Sequence, residues 1–546
     1  MKFRSFLNVL AAIAGGLLVL GTIGFIWVLT QSPLGLLKGS PLSEPTAAMF
    51  VPKQAPVMAS LLVNPDRLQA LRQVVAKPSD RKAARTEFDQ FKQGILGSSE
   101  LDYQRDVQPW LGNEITAAIT TLDIDRDPAN GKEPGYLLVL ATKDTERSRE
   151  FLQLFWQKRA IAGSELAFES YKGTKIIYGK VQNETAPLTL ATGVVGNRYV
   201  LFANSPKVLR DAINNVQAEE LNLVNSLDYQ TAIAALERGK IGLVFLNVPE
   251  LAALNAQEIP ESDQSVAISI RLDRQGLIAE AAILGESDST TSLKGGPVEA
   301  LNYIPAMSPI SASGRNLDQL WNGISKSASQ YGRIAQLVNQ PIAASQNRWQ
   351  LNLPQDIFRW VKGEYALALL PKSDAKTFDW VFVADKSIDP EAGAAIAHLD
   401  ELAKAQGIST GSINLGDQPI SVWTKLQPAK KSEIEAEVTG VHTSIGNYEI
   451  FATSIDAINA VLNAKKNVLA NSKEFNTAIA PLQKSTNGYL YLDWETAQPI
   501  IDGRFPLLKV VELAGQPLFN HLRSLTISNY GNESGIQRGA VFVQLS

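Results

Sequence analysis

Residues 45–285 and 297–546 carry the same local signatures in the same order, so any fold open to this chain must accommodate both. Phe50-Val51-Pro52-x-x-x-Pro56 returns as Tyr303-Ile304-Pro305-x-x-x-Pro309. Asp106-x-x-x-Trp110-x-x-x-Glu114 returns as Asp356-x-x-x-Trp360-x-x-x-Glu364. Gly196-Asn197 before Phe202-Ala203-Asn204-Ser205 matches Gly446-Asn447 before Phe451-Ala452-Thr453-Ser454. Ser226-x-x-Tyr229 and Gly242-Leu243-Val244-Phe245 match Ser472-x-x-Phe475 and Gly488-Tyr489-Leu490-Tyr491. The offset stays between 246 and 253 residues, far beyond any solenoid period, which marks duplication of a whole domain. The repeat also acts as an internal control. A residue type kept in both copies answers to a shared fold or a shared site; one present in a single copy serves that copy alone.

The 546 residues exceed one ordinary core and suit two domains of about 240. At 45% hydrophobic and 19% charged, both halves can fold as globules. The net charge is −4, and excluding residues 1–29 with Lys2 and Arg4 it is 49 positive against 55 negative groups, or −6. That acidity argues against nucleic acid as a partner. The absence of cysteine excludes disulfides, zinc thiolates and cysteine nucleophiles.

Phe6–Leu29 is an uncharged run of 24 residues preceded by Lys2 and Arg4. It is long enough to span a bilayer and longer than the core of a cleavable signal. It reads as a signal anchor with a cytoplasmic N-terminus, a single-pass membrane attachment that leaves the remainder outside. The expected domains are therefore an anchor at 1–29, a tether at 30–44, a first repeat at 45–285, a linker at 286–296 and a second repeat at 297–546.

Apolar runs predict strands at Ile115–Leu122, Tyr136–Ala141, Lys175–Tyr178, Tyr199–Ala203, Ile241–Val248, Val266–Leu272 and Leu277–Leu284. The last two flank Asp273-Arg274-Gln275-Gly276, a hairpin turn. Helical periodicity appears at Leu68/Leu71/Val75, Phe88/Phe91/Ile95, Phe151/Leu154/Phe155 and Leu209/Ile213, and again at Glu391–Ala405 and Ile455–Leu462. Ser205 and Ser454 read as helix N-caps. The expected fold class is α+β: two tandem homologous domains with mostly antiparallel sheets packed by helices, plus one N-terminal transmembrane helix.

The two-copy pattern, the turn at Trp110-Leu111-Gly112 and the N-terminal anchor resemble the cyanobacterial proteins of domain of unknown function 3352. The resemblance covers nearly the whole chain. It implies a bacterial envelope or thylakoid-membrane setting and brings no activity, cofactor or catalytic residue.

Among candidate sites the shared Asp106/Trp110/Glu114 and Asp356/Trp360/Glu364 set stands first. As a binding site, the Trp would be a platform and the Glu its polar partner. As structure, the Asp caps a one-turn helix, the Trp packs it to the sheet, and Asn113 or Gly363 takes a left-handed turn. Structure is the favoured reading. Asp123-x-Asp125-x-Asp127 resembles a calcium loop, but Pro128 and Pro134 stand where Gly and Glu belong. Gly407-x-Ser409-x-Gly411 follows a helix instead of a strand, which disqualifies it as a nucleophile elbow. Ser79-x-x-Lys82 is a chance match, and His398, His442 and His521 lack metal-ligand spacing. The sequence thus predicts no enzyme, no metal and no cofactor. It predicts a membrane-tethered binding or scaffold protein with an envelope or lumenal protein or lipid as partner. An apolar-ligand carrier and an unrecognised hydrolase are the alternatives.

Overall fold

The computed structural model describes residues 44–64, 103–127, 131–161, 163–181, 188–252, 264–285, 298–322, 351–372, 377–428, 434–504, 519 and 522–545. The expected anchor at 1–29, the tether through 43, the linker at 286–296, Ser79, Lys82, His521 and the helical stretches from Leu68 to Ile95 lie outside them.

The first half contributes β1 (Val57–Leu61), β2 (Leu111–Thr121), β3 (Gly135–Thr142), β4 (Leu166–Tyr171), β5 (Thr174–Val181), β6 (Leu188–Val195), β7 (Tyr199–Ala203), β8 (Lys240–Asn247), β9 (Ser265–Asp273) and β10 (Gly276–Leu284). The second contributes β11 (Ile310–Arg315), β12 (Glu364–Pro371), β13 (Phe378–Asp385), β14 (Ser409–Leu415), β15 (Gln418–Pro428), β16 (Ile434–Ile445), β17 (Tyr448–Ala452), β18 (Gly488–Asp493), β19 (Leu522–Glu533) and β20 (Ile536–Leu545). Followed through its pairings, the sheet runs β4-β5-β6-β7-β3-β2-β1-β8-β9-β10, then crosses to β20-β19-β18-β11-β12-β13-β17-β16-β15-β14. The second half reads as the first in reverse, because each strand occupies the place of its counterpart ten strands later.

This corrects the expected fold class. In place of two domains with separate sheets, there is one large antiparallel sheet of twenty strands among the described residues. The expected transmembrane helix is not among them either: no helix there is long and apolar enough to cross a membrane, and residues 1–29 are not described.

The joint between the halves explains the difference. β10 pairs with β20 along its whole length, from Gly276↔Gln544 to Leu284↔Ile536. Counted from the two hairpin turns, Glu280 and Ala540 are equivalent residues, and they pair with each other. A local twofold axis therefore passes through the seam. Left as an edge, β10 would present a row of unpaired N–H and C=O groups beside apolar side chains. Pairing instead buries Leu277, Leu272, Leu522, Val543 and Leu545 in one cluster, and Ile278 with Phe542 and Tyr530 in another. Sequence periodicity marks β10 as a strand but does not name its partner.

Helices cover both faces: in the first half Pro206–Gln217 packs on Leu137, Val139 and Leu201, and Thr145–Ile161 on the opposite face, against Leu140, Val200 and Phe202. Pro206–Gln217 starts where Ser205 Oγ accepts from Lys207 N at 3.2 Å, with Pro206 in its first turn. Its counterpart Ile455–Ala464 is capped by Ser454, whose Oγ accepts from Ala457 N at 3.1 Å. Both N-caps stand where the sequence places them. Thr145–Ile161 and Ala392–Ala405 form a second equivalent pair, packed toward the outer hairpins. Gly407, at φ +78°, closes the latter helix as its left-handed cap.

Candidate functional site

The shared Asp-x3-Trp-x3-Glu set lies at the entry to β2 in one half and β12 in the other. Trp110 is 1% exposed and packs on Phe151, with ring centres 5.2 Å apart. Its Nε1 donates to the carbonyl of Asp106 at 2.8 Å, closing the turn that holds both. Trp360 repeats this, donating to the Asp356 carbonyl at 3.1 Å amid Val361, Tyr365, Ala384 and Ile396. Main-chain acceptance explains why residues between Asp and Trp vary freely between the copies.

The two Asp residues stand within or at the end of their turns, Tyr103–Val107 and Leu353–Asp356, and not at the N-cap position the sequence reading gives them. Asp106 pairs with Arg105 at 2.8 Å, and Asp356 reaches back from the end of its turn to accept from Asn352 N at 2.7 Å. Neither Asn113 nor Gly363 is left-handed; Asn113 is already in β2. Gly363 serves close approach, since a Cβ there would lie 2.8 Å from Asp385.

Glu114 and Glu364 fasten distant chain segments. Buried Glu114 accepts from Ala47 N at 2.8 Å and from the Thr46 hydroxyl, which also meets Tyr199 Oη at 2.7 Å. The carboxylate thus holds the start of the 3₁₀ helix Thr46–Phe50 against the sheet. Glu364 does the same for the helix Glu299–Tyr303 by accepting from Glu299 N at 2.6 Å. It gains an ion pair with Arg315 at 3.1 Å, a contact Glu114 lacks. Burial pushes the Glu114 carboxyl up, against hydrogen bonds from Thr46, Ala47 and Thr116 that pull it down. Glu114→Gln should therefore keep the fold near neutral pH, because the amide still accepts from Ala47. Glu114→Ala should cost about 1–3 kcal/mol by orphaning that N–H. Urea denaturation checks the pair, and equal losses for both would show that the charge itself matters.

The second half holds a polar cluster that sequence reasoning missed. His442 on β16 is 6% exposed, with Nδ1 2.7 Å from Glu449 Oε1 and Nε2 3.3 Å from Asp400 Oδ1. Trp423 Nε1 donates to the same Asp400 oxygen at 2.6 Å. Lys386 Nζ donates to Glu449 Oε2 at 3.0 Å, and Ser444 Oγ donates to that oxygen too. The ring stacks on Phe451 and leans on Trp423. Burial alone would lower the His442 pKa, but the bond and charge of Glu449, with Asp400, outweigh it and hold it above the ordinary histidine value. Burial would likewise raise Glu449, but His442, Ser444 and Lys386 bring it below the usual carboxylate value.

With a carboxylate at each nitrogen, the ring is satisfied as a cation that donates twice. The neighbouring Ser444 hydroxyl is tied to Glu449 and Lys386. The arrangement is an ion-paired strut between helix and sheet. A signal for it was present. Across the Gly446-Asn447 turn Glu449 pairs with Ser444, two residues from His442, so the pleat puts His442 and Glu449 on one face. The first half has Thr192 and Val200 there.

The comparisons with known proteins bear on nearly the full length. The family model described as "Protein of unknown function (DUF3352)" matches residues 10–545. The chain belongs to this family. Comparison with curated proteins gave no match. Of solved structures, "Structure of crystal form I of TP0453" is similar at 8% identity and a TM-score of 0.23, over 46% of this chain and 82% of that one. "Structure of crystal form III of TP0453" is similar at 9% and 0.22, over 45% and 82%. Likeness at that level carries no argument.

The remaining candidates in this DUF3352 chain do not assemble. In the acidic loop, Asp125 Oδ1 accepts from Asp127 N and Asp123 Oδ1 from Glu133 N, so these carboxylates shape the turn. Ser409 is the first residue of β14, exposed beyond the helix cap. His398 sits beside Glu401 on the outer face of its helix, remote from His442 in role. Among the described residues no three His, Asp or Glu side chains are placed to hold a metal ion.

Proposed function

We propose that this DUF3352 protein is a membrane-tethered, non-catalytic scaffold whose body lies outside the cytoplasm, in a cyanobacterial envelope or thylakoid lumen, where it holds a protein or lipid partner. The observation that carries the reading is the unbroken sheet. At ~4.8 Å per strand, twenty strands measure roughly 90 Å along the sheet, with β4 and β14 as edges at its two ends. Such a body suits spanning and holding more than enclosing a substrate. The polar side chains kept in both halves are spent on internal fastening. An open hollow of about 500 Å³ among the described residues is lined by Asp273, Arg274, Gln275, Lys473, Asn476 and Thr477 with Ala480 and Pro481.

The tether rests on sequence: Phe6–Leu29 carries no charge and follows Lys2 and Arg4. The 3₁₀ helix Thr46–Phe50, which Glu114 fastens to the sheet, follows closely on the tether segment in sequence. The protein should resist carbonate extraction. A protease site placed in the exposed Gly416-Asp417 turn should be cut in right-side-out vesicles. Release by carbonate, or cutting in inverted vesicles alone, overturns the tether or its direction. Purification from solubilised membranes should bring a protein or lipid in near-stoichiometric amount; a partner-free body overturns the scaffold.

A further inference from the structure

The geometry points to a pH-sensitive latch in the second half: the helix Ala392–Ala405 is pinned to the β15–β16–β17 face by the protonated His442 ring, and its grip loosens when the ring loses its proton. This inference stands apart from the scaffold reading.

The two halves supply the comparison. His442 pairs with Phe451 across β16–β17, as Thr192 pairs with Phe202 across β6–β7. In the first half the helix Thr145–Ile161 reaches that position through Trp156, whose Nε1 donates to Thr192 Oγ1 at 2.7 Å. In the second half the equivalent helix reaches it through Asp400 and His442. The first clasp is a neutral hydrogen bond and does not titrate. The second is an ion pair whose cation is an imidazole.

A neutral imidazole has one N–H. Glu449 keeps it: its contact is the shorter, and Lys386 and Ser444 hold its carboxylate ionised. The proton then stays on Nδ1, and the Nε2 lone pair faces Asp400 Oδ1. An attraction across 3.3 Å becomes a repulsion. Trp423 still holds Asp400 at 2.6 Å, and Ile396, Leu399 and Ala403 remain buried, so the helix loosens without leaving.

The facing charged groups are few. The helix supplies Asp400, β17 supplies Glu449, and the segment after β13 supplies Lys386. β15 adds the Trp423 indole, and β16 adds Ser444 and the ring itself. His398 and Glu401 face outward, and both are exposed.

The sign follows from the raised histidine pKa. The pair's contribution is complete below the unfolded value of about 6.5 and is lost as pH rises through the folded value. Acid therefore tightens the latch and alkali slackens it.

The test is hydrogen exchange of the full chain from about pH 6 to 9, corrected for intrinsic rates. Protection of Ala392–Ala405 is read as a ratio to that of Thr145–Ile161. The ratio should fall several-fold as pH rises. His442→Gln should make it flat, and Asp400→Asn should move the fall to lower pH. A flat wild-type ratio, or a fall that persists in His442→Gln, overturns the latch. Should that variant fail to fold, the His442 ring resonances of the wild type decide: titration of the ring with no matching change in helix protection overturns it equally.

Discussion

Gly276→Ala is expected to open the seam between the halves, at a cost of about 1–3 kcal/mol or more. Gly276 begins β10 opposite Gln544. A Cβ there would lie 2.0 Å from the Val543 carbonyl oxygen and 2.7 Å from the Phe542 ring. The obstacle is backbone in a paired strand, so no rotamer change relieves it. The neighbouring bond from Leu545 N to Gln275 O, at 2.9 Å, fails with it. Across the twofold the counterpart position holds Ile536, opposite Leu284, so the crowding belongs to one end of the seam. Exchange protection should drop first in β10 and β20 and persist in β2–β3 and β12–β13. Unchanged protection along β10 would mean that the halves are not joined there.

How much of this was legible depends on whether the signal is local. The strand at Tyr199–Ala203, the strand at Leu277–Leu284 and the caps at Ser205 and Ser454 are written in runs of a few residues, and they stand where expected. β4 and β6 were missed because Leu166–Tyr171 and Leu188–Val195 mix Glu, Ser, Thr and Gly with their apolar residues, weakening the alternation. The seam was illegible for another reason. Nothing within Gly276–Leu284 states that its partner lies some 260 residues away, although the chain does state that each half has a counterpart strand to offer. The same limit hid the fastening roles of Glu114 and Glu364, whose partners lie 67 and 65 residues earlier. His442 was passed over as a lone histidine. Its carboxylates come from a helix and from across a hairpin; the hairpin register places Glu449 on its face, but nothing local names Asp400.

Trp110→Ala should cost about 3–5 kcal/mol, the usual range for emptying a buried indole site. The side chain fills the space between the β2 entry turn, Phe151 and Val200, and the turn itself is closed by its bond to the Asp106 carbonyl. Trp110→Phe should cost less, losing that bond, worth about 1 kcal/mol, while keeping most of the packing. Trp360→Ala should fall in the same range, since its burial and main-chain bond are alike. The continuous sheet adds a sharper expectation. If β10–β20 couples the halves, either variant should pull down one shared thermal transition, and the double variant should sum the losses because the sites share no contacts. If each variant instead splits off its own early transition, the halves unfold separately and the seam is weak. A third outcome would reverse the reading of the motif. Should Trp110→Ala leave stability intact yet abolish partner capture, the indole would be a binding platform, and the bond to Asp106 would orient it for that purpose.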